Sequence, residues 1–459
     1  MEKTEPENSE LEALRSELQE EKREFSVPGS KSSKLAVATR ALRHRNFQLF
    51  FAGQLISLVG TWMDTVAESW LVYRLTGSSL LLGTVAFCSQ IPVFLVAPIG
   101  GIVADRYNRH RIIIATQALS MVVAFILGAL TLSHRVQVWQ IMVLAAAGGV
   151  INAFDIPARQ AFLIEMVGRE DLLNAIALNS SMFNGARIIG PAVAGIVVAA
   201  VGEGWCFMAN SASYIAVITG LLLMKLPRWQ ERERHTSPTE DIINGFKFVK
   251  NTAPIRAILL MLGLMSLVGM PYAVLMPVFA AQILHGGAKA LGMLMGATGV
   301  GALLGALSLA ARVGVKGLGK LIAFCASGFG AALIAFSFSR VFWLSALLLI
   351  PVGFCMMVQM ASSNTLVQSM VPDAMRGRVM AVYSMMFMGM APFGGFFAGA
   401  IAHHIGAPYT VAIGGLACIS GAILYGLYLP QIRGQARELI MAQGMTAGVP
   451  VQEVTRQQA

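Results

Sequence analysis

The sequence predicts an all-α membrane protein with about twelve membrane-spanning helices in two pseudo-symmetric six-helix halves, and three observations predict it. Of its 459 residues, 56% are hydrophobic and only 13% are charged, against about 25% charged in an ordinary soluble domain. Apolar runs recur along the whole chain, each near the roughly 20 residues that a helix needs to cross a hydrocarbon core of about 30 Å. Short patterns in the first half return in the second at a nearly constant spacing. A closed β-barrel is the other way to span a bilayer, but it demands short alternating segments, which do not occur in the sequence.

The apolar runs fall at 47–74, 79–104, 112–132, 137–158, 172–201, 205–226, 256–284, 289–311, 319–338, 341–367, 378–402 and 407–429. An even number of crossings puts both termini on one side. Basic residues then orient the chain, because they concentrate in cytoplasmic loops. Lys31, Lys34, Arg40, Arg43, Arg45, Arg106, Arg109, Arg111, Arg169, the 225–256 loop, Arg312, Lys316, Lys320, Arg376, Arg378, Arg433 and Arg437 lie on the side of the tails. Arg74, Arg135, Lys289 and Arg340 lie on the other. Both termini are therefore expected in the cytoplasm, with the protein in the cell (inner) membrane. The net charge of +10 reads as a topology signal and not as a nucleic-acid surface, since the basic residues form no patch.

Five segments follow: a polar tail over 1–39, a first half over 40–226, a linker over 227–255, a second half over 256–430 and a tail over 431–459. Glu10 to Glu24 can form a short charged helix, and Ser26 to Ser30 reads as a joint. The first 25 residues lack an early apolar stretch, so no cleavable signal is expected. In the linker, Ile242, Ile243, Phe246 and Val249 recur at helical spacing among Lys247 and Lys250, the pattern of an amphipathic helix on a membrane face. The repeat is visible where Gly190 to Gly195 aligns with Gly394 to Gly399 at an offset of 204, and where Ser57 to Gly60 aligns with Ser266 to Gly269 at an offset of 209. Parallel halves around a central site are a standard transporter architecture.

Several residues carry possible chemistry. After the second run come Gly101, Asp105, Arg106, Arg109 and Arg111. Gly101 would let helices approach closely, and Asp105 would face the N-terminus of the eleventh run, which attracts an anion. This loop resembles the signature between the second and third helices of the major facilitator superfamily, with Asn108 where a glycine is usual; asparagine tolerates the left-handed conformation. Further segments (Arg45 to Phe47, Gly60 to Met63, Pro157 to Ala161, Arg187 to Pro191 and Pro372 to Arg378) resemble the subgroup of enterobactin exporters and secretion effectors. The resemblance covers about residues 40–430. It implies the major facilitator fold, alternating access, and a cavity lined by spans 1, 4, 7 and 10. Gly190, Pro191 and Gly195 are similar to the antiporter motif of that superfamily. They can act as a hinge or seal, or simply as a packing motif.

Charges inside a membrane are costly and mark function. Asp64 and Glu68 lie four apart on one face of the first span, and carboxylates so placed resist simultaneous ionisation. Asp64 can carry a proton or bind substrate; Glu68 can do so or reach the outer interface. Arg187, near the middle of the fifth span, needs a counter-charge, and Asp64 is a candidate. Asp155 and Arg159 can pair at the cytoplasmic end of the fourth span, and Arg376 and Arg378 face the same gate. Gln54, Asn152, Asn210, Gln359 and Asn364 could line the cavity or hydrogen-bond between helices. The five cysteines have neither metal-ligand nor disulfide spacing. There is no nucleotide motif and no catalytic constellation, so no enzyme activity, cofactor or metal is expected. The reading is a secondary transporter, functional as a monomer. It would exchange protons for a small amphipathic, siderophore-like or drug-like compound. An uncoupled facilitator, an importer or a lipid transporter of the same fold is the alternative.

Overall fold

The computed structural model describes residues 40–168, 170–226, 238–312, 314–443, 445–446 and 449–450. The tail 1–39, Arg169, the linker segment 227–237 and the end of the chain beyond Pro450 lie outside the described residues, and with them the Glu10 to Glu24 helix, the Ser26 to Ser30 joint, Lys31 and Lys34.

Among the described residues, twelve helices are long and apolar enough to cross a membrane. We label them α1 (Arg45–Thr76), α2 (Ser79–Arg106), α3 (Arg109–Leu132), α4 (Val138–Val167), α5 (Leu172–Val201), α6 (Glu203–Leu222), α7 (Ala253–Ile283), α8 (Gly287–Ala310), α9 (Leu318–Phe338), α10 (Phe342–Met370), α11 (Asp373–Ile405) and α12 (Ala407–Ala442). A small two-stranded hairpin, Met445–Thr446 with Val449–Pro450, follows α12. The spans alternate in direction. One end of the bundle, the tail face, carries the start of α1 and the end of α12; the other is the far face. Trp139, Trp205, Trp343 and Tyr409 are exposed and stand within the first turn of α4, α6, α10 and α12. All four lie at the far face, where amphipathic rings mark a membrane–water interface.

Helix ends follow local chemistry. Gly77 takes a left-handed conformation after α1, and the Ser78 and Asn108 side chains cap α2 and α3. Asn108 sits at φ −62° and not in the left-handed region, so it serves as a cap and not as a glycine substitute. The fourth span, expected over 137–158, continues to Val167 because nothing breaks the helix before Gly168. The seventh, expected as one helix, is broken. Pro271 and Pro277 each remove an N–H, and the chain passes from α-helix to a π turn at Met265–Gly269, then a 3-10 turn at Met270–Ala273, then another π turn at Phe279–Ile283. α11 is interrupted at Gly389 and Met390. The Ser266 hydroxyl donates to the carbonyl of Phe387 beside that interruption.

Between α6 and α7, a helix over Pro238–Asn251 packs on the start of α11. A Cβ on Gly245 would meet the Arg378 carbonyl oxygen at 2.6 Å. Val249 is buried, whereas Ile243 and Phe246 stay exposed; the side chain of Ile242 lies outside the described residues.

The two groups of six helices are joined at the far face. Gly83 of α2 lies against Gly399 of α11, and Gly292 of α8 against Gly195 of α5; a Cβ on any of the four would meet backbone atoms at 2.4–3.1 Å. Phe87 and Phe393 close the first seam edge-on, 5.8 Å apart. Gly195 and Gly399 are related by the 204-residue offset, and Gly83 and Gly292 by the 209-residue offset, so both seals use the duplicated sequence. One buried cluster runs across this end through both groups. At the tail face the first group has a separate cluster built on Phe47, Phe50, Ile113 and Phe162. The cleft between the groups therefore opens towards the tail face.

Candidate functional site

α1 carries the two polar sites of the first half. Residues two apart on an α-helix are turned by about 200°, so Trp62 and Asp64 leave α1 on opposite sides. Trp62 faces α5. Its ring lies beneath the Arg187 guanidinium, 5.6 Å from the carbon to the ring centroid, and stands edge-on to Phe183 at 5.7 Å. Tyr272, on the 3-10 turn of α7 in the other half, interacts with Arg187 electrostatically.

Asp64 faces α6. Asn210 is its polar neighbour there and Tyr214 approaches it, while Glu68 lies one turn further along α1. Gly60 allows the approach: a Cβ on it would sit 2.7 Å from Oδ1 of Asn210 and 2.8 Å from Oγ of Ser213. Oδ1 of Asp64 is buried without a hydrogen-bond partner. The Asp64–Arg187 ion pair that the sequence allows does not form, because satisfying Trp62 against α5 turns Asp64 away.

The signature loop forms a network inside the first half. Arg109 donates to Oε1 of Glu165 on α4 at 2.7 Å, to Oδ1 of Asp105 at 3.4 Å and to the Ala104 carbonyl at 3.0 Å. Arg106 and Arg111 are exposed. Close helix approach is made by Gly100, not Gly101. A Cβ on Gly100 would sit 2.0 Å from the Ala153 carbonyl oxygen of α4, whereas one on Gly101 would meet nothing within 4 Å. Asp155 is buried and fully engaged. It accepts from Thr116 Oγ1 at 2.8 Å and Gln117 Nε2 at 3.0 Å, and pairs with Arg159 at 3.0 Å. At the start of α11, Arg376 pairs with Asp373 at 2.6 Å and Arg378 reaches Met375.

Gln54, Asn210 and Gln359 are buried between helices and do not line the cleft in this conformation. Asn152 is exposed, and Asn364 accepts from Gln368 at 2.6 Å. Gly190 sits against α1, where a Cβ would meet that of Trp62 at 2.4 Å. Pro191 lies inside α5 and Gly195 forms the seal described above. Glu165 and Tyr272 join these sites without a sequence signal of their own. Among the described residues no group of three metal-ligating side chains occurs.

Residues 36–453 match the family described as transmembrane secretion effector. The chain is 27% identical over 373 residues to the staphyloferrin A transporter of Staphylococcus aureus, covering 81% of this chain and 93% of that protein. It is 24% identical over 409 residues to the enterobactin exporter EntS of Citrobacter koseri, covering 89% and 96%. Among solved structures, the nucleoside transporter NupG superposes with a TM-score of 0.65 at 15% identity, covering 83% of this chain and 98% of that one; at that identity the likeness establishes the fold.

Proposed function

The chain belongs to the transmembrane secretion effector family of major facilitator transporters, and from that premise we propose that it exports a small amphipathic compound, siderophore-like or drug-like, in exchange for protons. The tail face is then cytoplasmic and the bundle sits in the inner membrane as a functional monomer. The names of the relatives, a staphyloferrin A transporter and an enterobactin exporter, support a siderophore-like cargo, and the second supports the direction. The observation that carries the coupling is Asp64. Its buried oxygen without a donor is the kind of unexplained acceptor that calls for a role, and a proton placed on it would turn that carboxyl into a donor. Glu68 beside it provides a second station towards the far face. Rocking of the two halves would alternate the exposure of this pair.

The test is reconstitution with an imposed pH gradient, using the compound that accumulates in cells lacking the gene. Asp64→Asn keeps the shape and removes the titratable group. It should abolish uphill transport while retaining downhill exchange. Full gradient-driven transport by Asp64→Asn would reject the role and pass it to Glu68. Wild-type transport indifferent to the gradient would favour the uncoupled facilitator.

A further inference from the structure

We propose that Arg187, which lies over the ring of Trp62, is the anion-recognition element of the transport site, and that the cargo carries a carboxylate beside an aromatic or apolar body. The inference rests on the transport reading above and names the class of compound carried.

Arg187 lies near the middle of α5, and a guanidinium stays protonated there. Charge at that depth is retained when paired or when it serves a pathway. No carboxylate pairs with Arg187 among the described residues, and Asp64, the counter-charge that the sequence suggests, faces α6. The guanidinium carbon lies over the Trp62 ring, 5.6 Å from its centroid. A ring meets the charge but offers no acceptor oxygen to the N–H donors. Those donors form a planar fork that matches the two oxygens of a carboxylate. Phe183, edge-on to Trp62, extends an aromatic wall from the charge.

Position favours cargo over structure. The carbonyl of Arg187 lies 3.3 Å from where a Cβ of Gly299 on α8 would stand. The residue is thus at the foot of the far-face seal, where the cleft begins. Tyr272 comes from α7, with Thr298 of α8 as its own polar neighbour. An anion bound at Arg187 would sit where α5 of the first half meets α8 of the second, as a cargo that controls rocking must. A cationic compound would meet an uncompensated positive charge.

Equilibrium dialysis of the purified full chain in detergent, at constant ionic strength and without a gradient, tests this with three probes: 2-naphthoate, its neutral methyl ester and the cation 2-naphthylmethylammonium. Wild type should bind 2-naphthoate saturably and at least about tenfold more tightly than the ester, the margin expected of a charge-assisted pair. Arg187→Gln should remove that preference, and Arg187→Lys, which keeps the charge and loses the fork, should fall between. Arg135→Gln removes an exposed charge and should leave binding intact. Equal binding of acid and ester by wild type, absence of 2-naphthoate binding, or an undiminished preference in Arg187→Gln would each overturn the inference. If Arg187→Gln fails to elute as folded protein, the acid–ester comparison and Arg187→Lys still decide. Because no gradient is present, loss of proton coupling would leave this result standing. Conversely, gradient-driven export of neutral compounds without anion preference would reject this inference alone.

Discussion

Glu203 opens α6 at the far face with its carboxylate buried, and Arg74 at the end of α1 meets it through two hydrogen bonds of 2.6 and 3.2 Å. The pair clasps the first and last spans of the first half. Arg74→Ala should lower stability by about 1–3 kcal/mol, the cost of leaving a buried charged acceptor unmet. Adding Glu203→Gln should recover most of it, read as the apparent unfolding midpoint in detergent. If single and double variants melt together, the clasp contributes nothing. Asp155 is a stronger case, since three partners on α3 and α4 converge on it. Asp155→Ala should cost about 3–5 kcal/mol by orphaning Arg159 and two donors. The variant should then fail to accumulate in the membrane, whereas normal yield with altered transport would make the residue a gate element instead. The Asp155–Arg159 pair is legible in the sequence because four residues separate it on one helix. Arg74 and Glu203 are 129 positions apart, and nothing local links them.

The spans themselves were readable because hydrocarbon imposes a length and because Gly77, Gly168, Gly202 and Gly406 end helices visibly. Their rotations were not. In a bilayer both the lipid side and the packed side of a helix are apolar, so no polar stripe tells that Gly100, and not Gly101, meets α4. The structure supplies a reason. Pro157 has no N–H, which leaves the Ala153 carbonyl one turn earlier without its helical partner, and Gly100 is the residue that packs on that oxygen. Pro271 repeats the device: it frees Leu267, whose carbonyl oxygen lies 2.3 Å from the site of a Gly394 Cβ. Pro191 likewise frees the Arg187 carbonyl that Gly299 approaches. Gly100→Ala should therefore disrupt the α2–α4 seam and lower the yield of folded protein, because a Cβ only 2.0 Å from a backbone oxygen forces the neighbouring helix itself to move. Gly101→Ala should fold normally. Equal yields of the two would show that the seam relaxes and that the proline–glycine match has no structural weight.

At the scale of the whole molecule the far face is sealed by two glycine seams related by the internal repeat, while the tail face is parted. Here Arg109 ties Asp105 to its own half through Glu165, a helix extension that hydropathy alone placed in a loop. In the proposed cycle the opposite state closes the tail face by bringing the start of α11 against α2. Asp105 would then face a helix N-terminus, an attraction of about 0.3–2 kcal/mol. A difference of 1–2 kcal/mol is a factor of about 5–30 between two states, so removing the charge should be visible as a population shift and not as misfolding. Spin labels at the exposed positions Arg106 and Arg376 span the proposed gate. In wild type the distance distribution should contain a long and a short component, the short one being the closed tail face. Asp105→Ala should deplete the short component and slow transport at unchanged expression. Asp105→Asn should fall between, because it keeps a hydrogen-bond acceptor without the charge. An Asp105→Ala distribution identical to wild type would reduce the signature loop to a topology signal. Depletion of the long component would mean that Asp105, through Arg109 and Glu165, holds the tail face open.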